Sequence, residues 1–440
     1  FSARYSIFNR YALSVSVRAD GSSLVGENHT WGLFPSVSGE WDVKHEAFLR
    51  GVDAVNRLKF RIGYGESGNL AGISAYNAVR RMVPTNVVPV NGAPVVTMSE
   101  ARNYNPDLRW ETRSTFNVGA EAALWDNRLI LTVAYYHAVT RDMLYEYEVP
   151  VPPFVYNKLL ANNGTLSNDG WELGLGASLL RTRDWGLDVN ANLTVQRSRL
   201  RSLGGACLGM QLTASRITPI GGMELGAGFH GGNNNVLYQI VGQPLGVFYL
   251  PKSTGLELQP DGSRRYEIED LDHNGRINVE DGGDRYVAGQ ATPKVMLGSN
   301  IAVRYKNWDL TMQINGAFGH KIFNATALAY MNMTSFPDYN VMRGAPQQNI
   351  KDQNVTDYWL EKGDYVNVDY ITLGWNVPLR SRVIQGLRLS CSVNNPWTFT
   401  AYSGLTPMIN SHVVNATIGM DDKRSYPVYR TFSMGVNVQF

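Results

Sequence analysis

Apolar and polar residues alternate one by one over much of this chain, the period of a strand with two unlike faces. Between Leu187 and Gln196, one face carries Leu187, Val189, Ala191, Leu193 and Val195. The other carries Asp188, Asn190, Asn192, Thr194 and Gln196. The last segment sets Phe432, Met434, Val436 and Val438 against Ser433, Gly435, Asn437 and Gln439. These stretches run to about ten residues, the length a tilted strand needs to cross a bilayer. The pattern predicts about thirteen strands, starting near residues 2, 11, 32, 56, 112, 128, 168, 185, 295, 308, 365, 386 and 428.

The connections alternate too. Short turns fall at Asn9-Arg10, Trp125–Arg128, Arg181–Trp185, Lys306–Trp308 and Pro378–Gly386, and a longer link from about 42 to 56 has room for a helical turn. Long loops occupy about 20–31, 67–110, 145–166, 200–294, 319–364 and 395–427. Short turns on one side and long loops on the other are the habit of outer-membrane barrels, with the turns in the periplasm. The fold class expected is therefore an all-β, transmembrane, antiparallel up-and-down barrel wall. A soluble sandwich shares the alternation, but its strands average five or six residues and lack this asymmetry. Trp31, Trp41, Trp110, Trp125, Trp171, Trp185, Trp308 and Trp375 bracket the strands as two aromatic girdles would. Leu187, Val189, Leu193, Phe432, Val436 and Val438 are expected to face lipid. Lys59, Arg61, Glu121, Asp188, Asn190, Asn192, Gln313 and Asn437 are expected to face a wet lumen, since a packed interior rejects most of them.

Composition narrows the function. Lys+Arg is 40 and Asp+Glu is 38, a net charge of +2 that gives no reason to expect nucleic acid as partner. No stretch approaches the ~18 apolar residues of a transmembrane helix, which does not count against a barrel. Cys207 and Cys391 fit neither a disulfide framework nor a metal cluster, and Cys391 lies on an apolar parity. Gly-x-Ser-x-Gly, Walker-type and Cys-x-x-Cys motifs are missing, and the seven histidines lack metal-ligand spacing. No enzyme is expected.

Two groups of loop residues are candidate sites. Asp270, Asp272, Asn274, Arg276, Asn278 and Asp281 occupy the ligand positions of a twelve-residue Ca²⁺ loop, with Gly275 at its sharp turn. Arg276 offers a backbone carbonyl, and Asp281 replaces the usual bidentate Glu, so weaker affinity is expected. No amphipathic helix flanks the loop, which makes it a structural brace and not a sensor. Tyr339, Tyr358, Trp359, Trp397 and Tyr402, with nearby amides such as Asn235, form a surface able to stack on sugar rings or grip peptide backbone. The same aromatics would equally pack the loops or meet a partner protein.

Several segments resemble the SusC-like, TonB-dependent transporters of the bacterial outer membrane. They are Arg18–Ser23 with Trp31–Ser36, Leu58–Asn69, Asn105–Glu111, Tyr135–Leu144, Gly242–Phe248 and Asp270–Asp281, in the family's order from about residue 10 to 440. The resemblance implies that residues 1–440 are the carboxy-terminal portion of a 22-stranded barrel, with the plug and TonB box outside this chain. It implies import of a bulky nutrient, glycan or peptide, powered through TonB, with a SusD-like surface lipoprotein as lid. A passive porin, a blocked scaffold barrel and an outer-membrane enzyme are the alternatives.

Overall fold

The computed structural model describes residues 1–440 apart from 215, 218–234, 281, 382, 410–417 and 422–425. One antiparallel sheet of thirteen strands dominates, and each strand pairs with its neighbour in sequence. The strands are β1 (Ser2–Ile7), β2 (Tyr11–Gly21), β3 (Trp31–Asp42), β4 (Val55–Asn69), β5 (Glu111–Leu124), β6 (Leu129–Glu148) and β7 (Lys158–Arg181). They continue with β8 (Trp185–Ser202), β9 (Val295–Tyr305), β10 (Trp308–Phe318), β11 (Tyr365–Asn376), β12 (Gly386–Thr400) and β13 (Thr431–Gln439). The link between β3 and β4 holds the expected helical turns, Val43–His45 and Ala47–Arg50. Among the described residues, β1 and β13 each pair along one edge only.

Register preserves the two faces across the sheet. Leu187 lies beside Val303, then Leu310, Leu373, Cys391 and Met434. Asn190 lies beside Asn300, then Gln313, Tyr370 and Asn394. A one-residue slip would exchange the faces, so two unlike solvents fix the pairing. The apolar face is not covered by a second sheet: Phe432 is 73% exposed and Val436 68%. A soluble sandwich would bury these residues; a membrane barrel gives them to lipid.

Aromatics mark the edges of the lipid band. Near the short turns, Trp185 meets Tyr305 with centroids 4.3 Å apart, and Trp41 lies between Tyr11 and Phe60. Toward the loops, Tyr135 meets Trp171 at 5.1 Å. Trp110 departs from the girdle expected of it. It packs edge-on against Phe34, 5.6 Å away, in a cluster of loop residues.

The buried hydrophobic clusters among the described residues sit mostly in the long loops. The largest joins Phe248 and Leu250 of the loop after β8, Phe323 and Leu328 of the loop after β10, and Met420 of the loop after β12. Small sheets frame it. One pairs Arg216–Ile217, Leu237–Ile240, Val247–Pro251 and Arg285–Gln290 in that order, and another puts Lys321–Asn324 between Leu360–Lys362 and Met420–Asp421. Each fully buried Leu or Phe here contributes about 1.5–3 kcal/mol.

Candidate functional site: the lumen wall and its loops

The polar faces of β3 to β7 form a charged wall. Lys59 reaches Glu40 at 2.7 Å and Asp42 at 3.7 Å. Arg61 stands 3.6 Å from Glu40 and 3.4 Å from Glu121, and Arg57 also pairs with Glu121. The acids and bases therefore neutralise one another sideways along the wall and leave donors and acceptors facing the lumen. Beside them is a recess of about 470 Å³ lined by Arg61, Arg113, Asn117, Glu121, Tyr136 and Glu172, among others. Glycines open this wall: the Tyr136 ring lies across Gly170, its register partner, where a Cβ would collide with it. At the loop end, Phe34 covers Gly32 and Gly68 in the same way.

Farther along the polar face, Ser178 Oγ donates to Asp188, and Asn300 donates to Gln313 at 3.2 Å. At the periplasmic end, Arg388 holds Asp309 from two strands away. The lumen residues expected on β4, β5, β8 and β10 thus share one polar face.

The acidic loop lies in the connection between β8 and β9. One carboxylate oxygen from each of Asp270, Asp272 and Asp284 falls within 4.8 Å of the others. Gly275 takes φ +79°, and its N–H donates to Asp270 at 2.7 Å. Asp284, which the twelve-position template did not include, receives N–H bonds from Leu271 and Asn278, at 2.8 and 2.7 Å. The Asn278 bond, ahead of the opposing effect of burial, holds its carboxyl below the ordinary range. The Asn274 and Asn278 amide oxygens accept from the Arg276 and Glu280 backbones, closing the loop on itself. Asp281 lies outside the described residues. Three convergent carboxylates are hard oxygen donors of the kind Ca²⁺ takes. Such acidic loops also occur without metal.

The family model for the TonB-dependent receptor-like β-barrel matches residues 1–396. The chain belongs to the TonB-dependent receptor β-barrel family. Among curated relatives, TonB-dependent receptor P3 of Formosa agariphila is 28% identical, covering 99% of this chain and 44% of the relative. TonB-dependent receptor SusC of Bacteroides thetaiotaomicron is 24% identical, covering 99% of this chain and 43% of the relative. The receptor barrel described here thus spans less than half the length of either. Among solved structures, the RagAB peptide importer in its closed-closed state superposes with a TM-score of 0.76 at 20% identity, covering 100% of this chain and 47% of the other. That likeness concerns the fold. The family places the barrel in the outer membrane, short turns inward and long loops outward.

Within this receptor barrel the five loop aromatics take different places. Tyr402 is 6% exposed, and its hydroxyl donates to Asp421 at 2.6 Å. Burial first, and that carboxylate second, push the phenol's pKa up. Trp359 donates to the Tyr266 hydroxyl at 2.7 Å, and Tyr358 packs against both rings. Trp397, 54% exposed, pairs with Val368, which continues the apolar row of Ile314 at the outer rim. Tyr339, 51% exposed, lies in the loop after β10. The structure does not bring the five together on one surface. Asn235, the described amide of that group, joins the loop packing instead, its carbonyl accepting from Arg285 at 3.0 Å.

Proposed function

We propose that this chain forms wall and loops of a TonB-dependent importer for a bulky nutrient, glycan or peptide, working under a SusD-like surface lipoprotein. The observations that support this are the common hydrophobic core of three long loops and the charged, recessed wall on the polar face of the sheet. The remaining strands of the full barrel pair along β1 and β13 in this reading, closing edges that lipid does not tolerate. TonB acts through the portion of the full protein that lies outside this chain.

The Asp270 loop holds Ca²⁺ in the same proposal, as a brace for the loop between β8 and β9. Asp270, Asp272 and Asp284 supply the carboxylates.

Deletion of the full receptor gene tests the transport reading. The expected result is lost growth on one complex glycan or peptide source, and a SusD-like lipoprotein recovered with the tagged receptor from native membranes. Uptake should also stop when the proton gradient that drives TonB is collapsed. Unchanged growth on every complex source that needs the neighbouring lipoprotein overturns the reading. Uptake that survives collapse of the gradient points to a porin.

A further inference from the structure

The apolar face of β8 ends abruptly in arginine. Leu187, Val189, Leu193 and Val195 hold the outward parity, and the next residues on that parity are Arg197, Arg199 and Arg201, all exposed. Val195 pairs with Trp171, which meets Tyr135 in the outer girdle. From Trp185 to Val195 is ten residues; at ~3.4 Å each and ~40° tilt they climb about 26 Å, the height of the lipid band. The first arginine therefore lies one rung above the hydrocarbon, and the others roughly 5 and 10 Å higher.

Neighbouring strands widen the patch. Arg141 of β6 is exposed on the same parity, two strands and about 10 Å away. Arg201 donates to Ser167 at 2.8 Å and so lies flat against β7. Arg197 and Arg199 have no ion pair among the described residues. Between Trp171 and the irregularity at Thr140–Met143, the outward face of β6 to β8 carries one described carboxylate, Asp169. His137 and Tyr135 already engage it. Four guanidiniums thus face outward at headgroup height over an apolar, aromatic-edged strip.

We propose that this patch binds the phosphorylated headgroup of an outer-leaflet glycolipid, whose acyl chains lie along Leu173, Leu193 and Val133. The guanidinium fork matches phosphate oxygens in pairs, and the strip below accepts hydrocarbon. A water-soluble anion would use the arginines and leave that strip without a role. An acidic protein would not match the continuity of the patch with the lipid band.

The test uses the full-length receptor in phosphatidylcholine nanodiscs doped with lipid A. Retained lipid is measured by mass spectrometry after size exclusion. Wild type is expected to enrich diphosphorylated lipid A over its dephosphorylated form. Each arginine should contribute roughly fivefold at low salt, so the triple variant Arg197→Gln/Arg199→Gln/Arg201→Gln loses about a hundredfold, and less as salt rises. The triple lysine variant keeps the charge but not the paired phosphate contacts, so its binding should fall between wild type and the glutamine triple, and Arg199→Gln alone, with a loss of roughly fivefold, replaces the triple if that fails to fold. Three results overturn the proposal. They are full retention in a folded glutamine variant, equal binding of the dephosphorylated lipid, or loss of an acidic protein partner with lipid retention unchanged.

Discussion

Arg388 of β12 reaches across an intervening strand to Asp309 of β10, with its two Nη atoms 2.5 and 2.7 Å from the two carboxylate oxygens. The bridge passes over Gly374, which pairs with Asp309 on one side and with Ser390, two residues from Arg388, on the other. A Cβ on Gly374 would lie 2.7 Å from the Asp309 carboxylate and nearer still to the guanidinium. The glycine is thus the gap through which two strands are tied. Gly374→Val is expected to break the bridge and strain the strand, costing about 1–3 kcal/mol. Arg388→Met removes the charge alone, and for this partly exposed pair should cost no more than ~1 kcal/mol. Heat-modifiability on gels of the assembled barrel separates the two.

The parity of β8 predicts opposite outcomes from adjacent positions. Val189 lies midway between Trp185 and Val195 on the apolar face, and Asn190 lies on the polar face. Val189→Arg should cost about 2–4 kcal/mol in urea unfolding from liposomes. Asn190→Arg should change stability by less than ~1 kcal/mol. Equal effects would mean that the faces are assigned wrongly.

His320 gives the loop after β10 a pH dependence. Its ring is buried, its Nδ1 has no hydrogen bond among the described residues, and Asp364 stands 4.0 Å away. Burial, ahead of the opposing carboxylate, holds the imidazole below its ordinary value of about 6.5. The unfolded segment then binds more protons than the folded one, so stability is full above pH ~6.5 and is lost as pH falls below it. Hydrogen exchange of residues 319–324, corrected for intrinsic rate, should quicken at pH 5.5 relative to 7.5. In His320→Gln that difference should vanish.

Calcium should be measurable directly. Elemental analysis of the native receptor equilibrated with millimolar calcium should find a bound ion that a chelator removes. Proteolysis within 264–290 should then accelerate, as it should in Asp270→Asn/Asp272→Asn. With one short Asp in place of Glu, affinity is expected in the weak extracellular range, about 10⁻⁴–10⁻³ M. Absence of calcium together with unchanged cleavage in chelator removes the idea.

Where lipid and water press on opposite faces, the strands were legible. The expected starts at 185, 295, 308, 365 and 386 coincide with β8 to β12. β7 was missed by ten residues, because it begins at Lys158 and not near 168. Its upper half has left the membrane and buries Asn162 and Ser167 beside Leu159 and Leu166, so alternation no longer reports which face is which. The loops hid for a related reason. Phe248, Phe323 and Met420 meet in one core from three connections far apart in sequence, and no local period records that. Asp284 lies three residues beyond the template that found Asp270, and the run Asp281-Gly-Gly-Asp284 was its one sequence signal.

The shared core of the three long loops also limits how this mouth can move and diverge. Phe323 cannot shift without disturbing Phe248 in one loop and Met420 in another, so the cover opens as a single piece or not at all. A new binding preference is then more readily acquired at the free tips, around Tyr339 or the exposed Met82–Val90 and Ala93–Glu100 hairpin, than in the interlocked interior. Tips can be exchanged one at a time, whereas the interior would have to change in three places together.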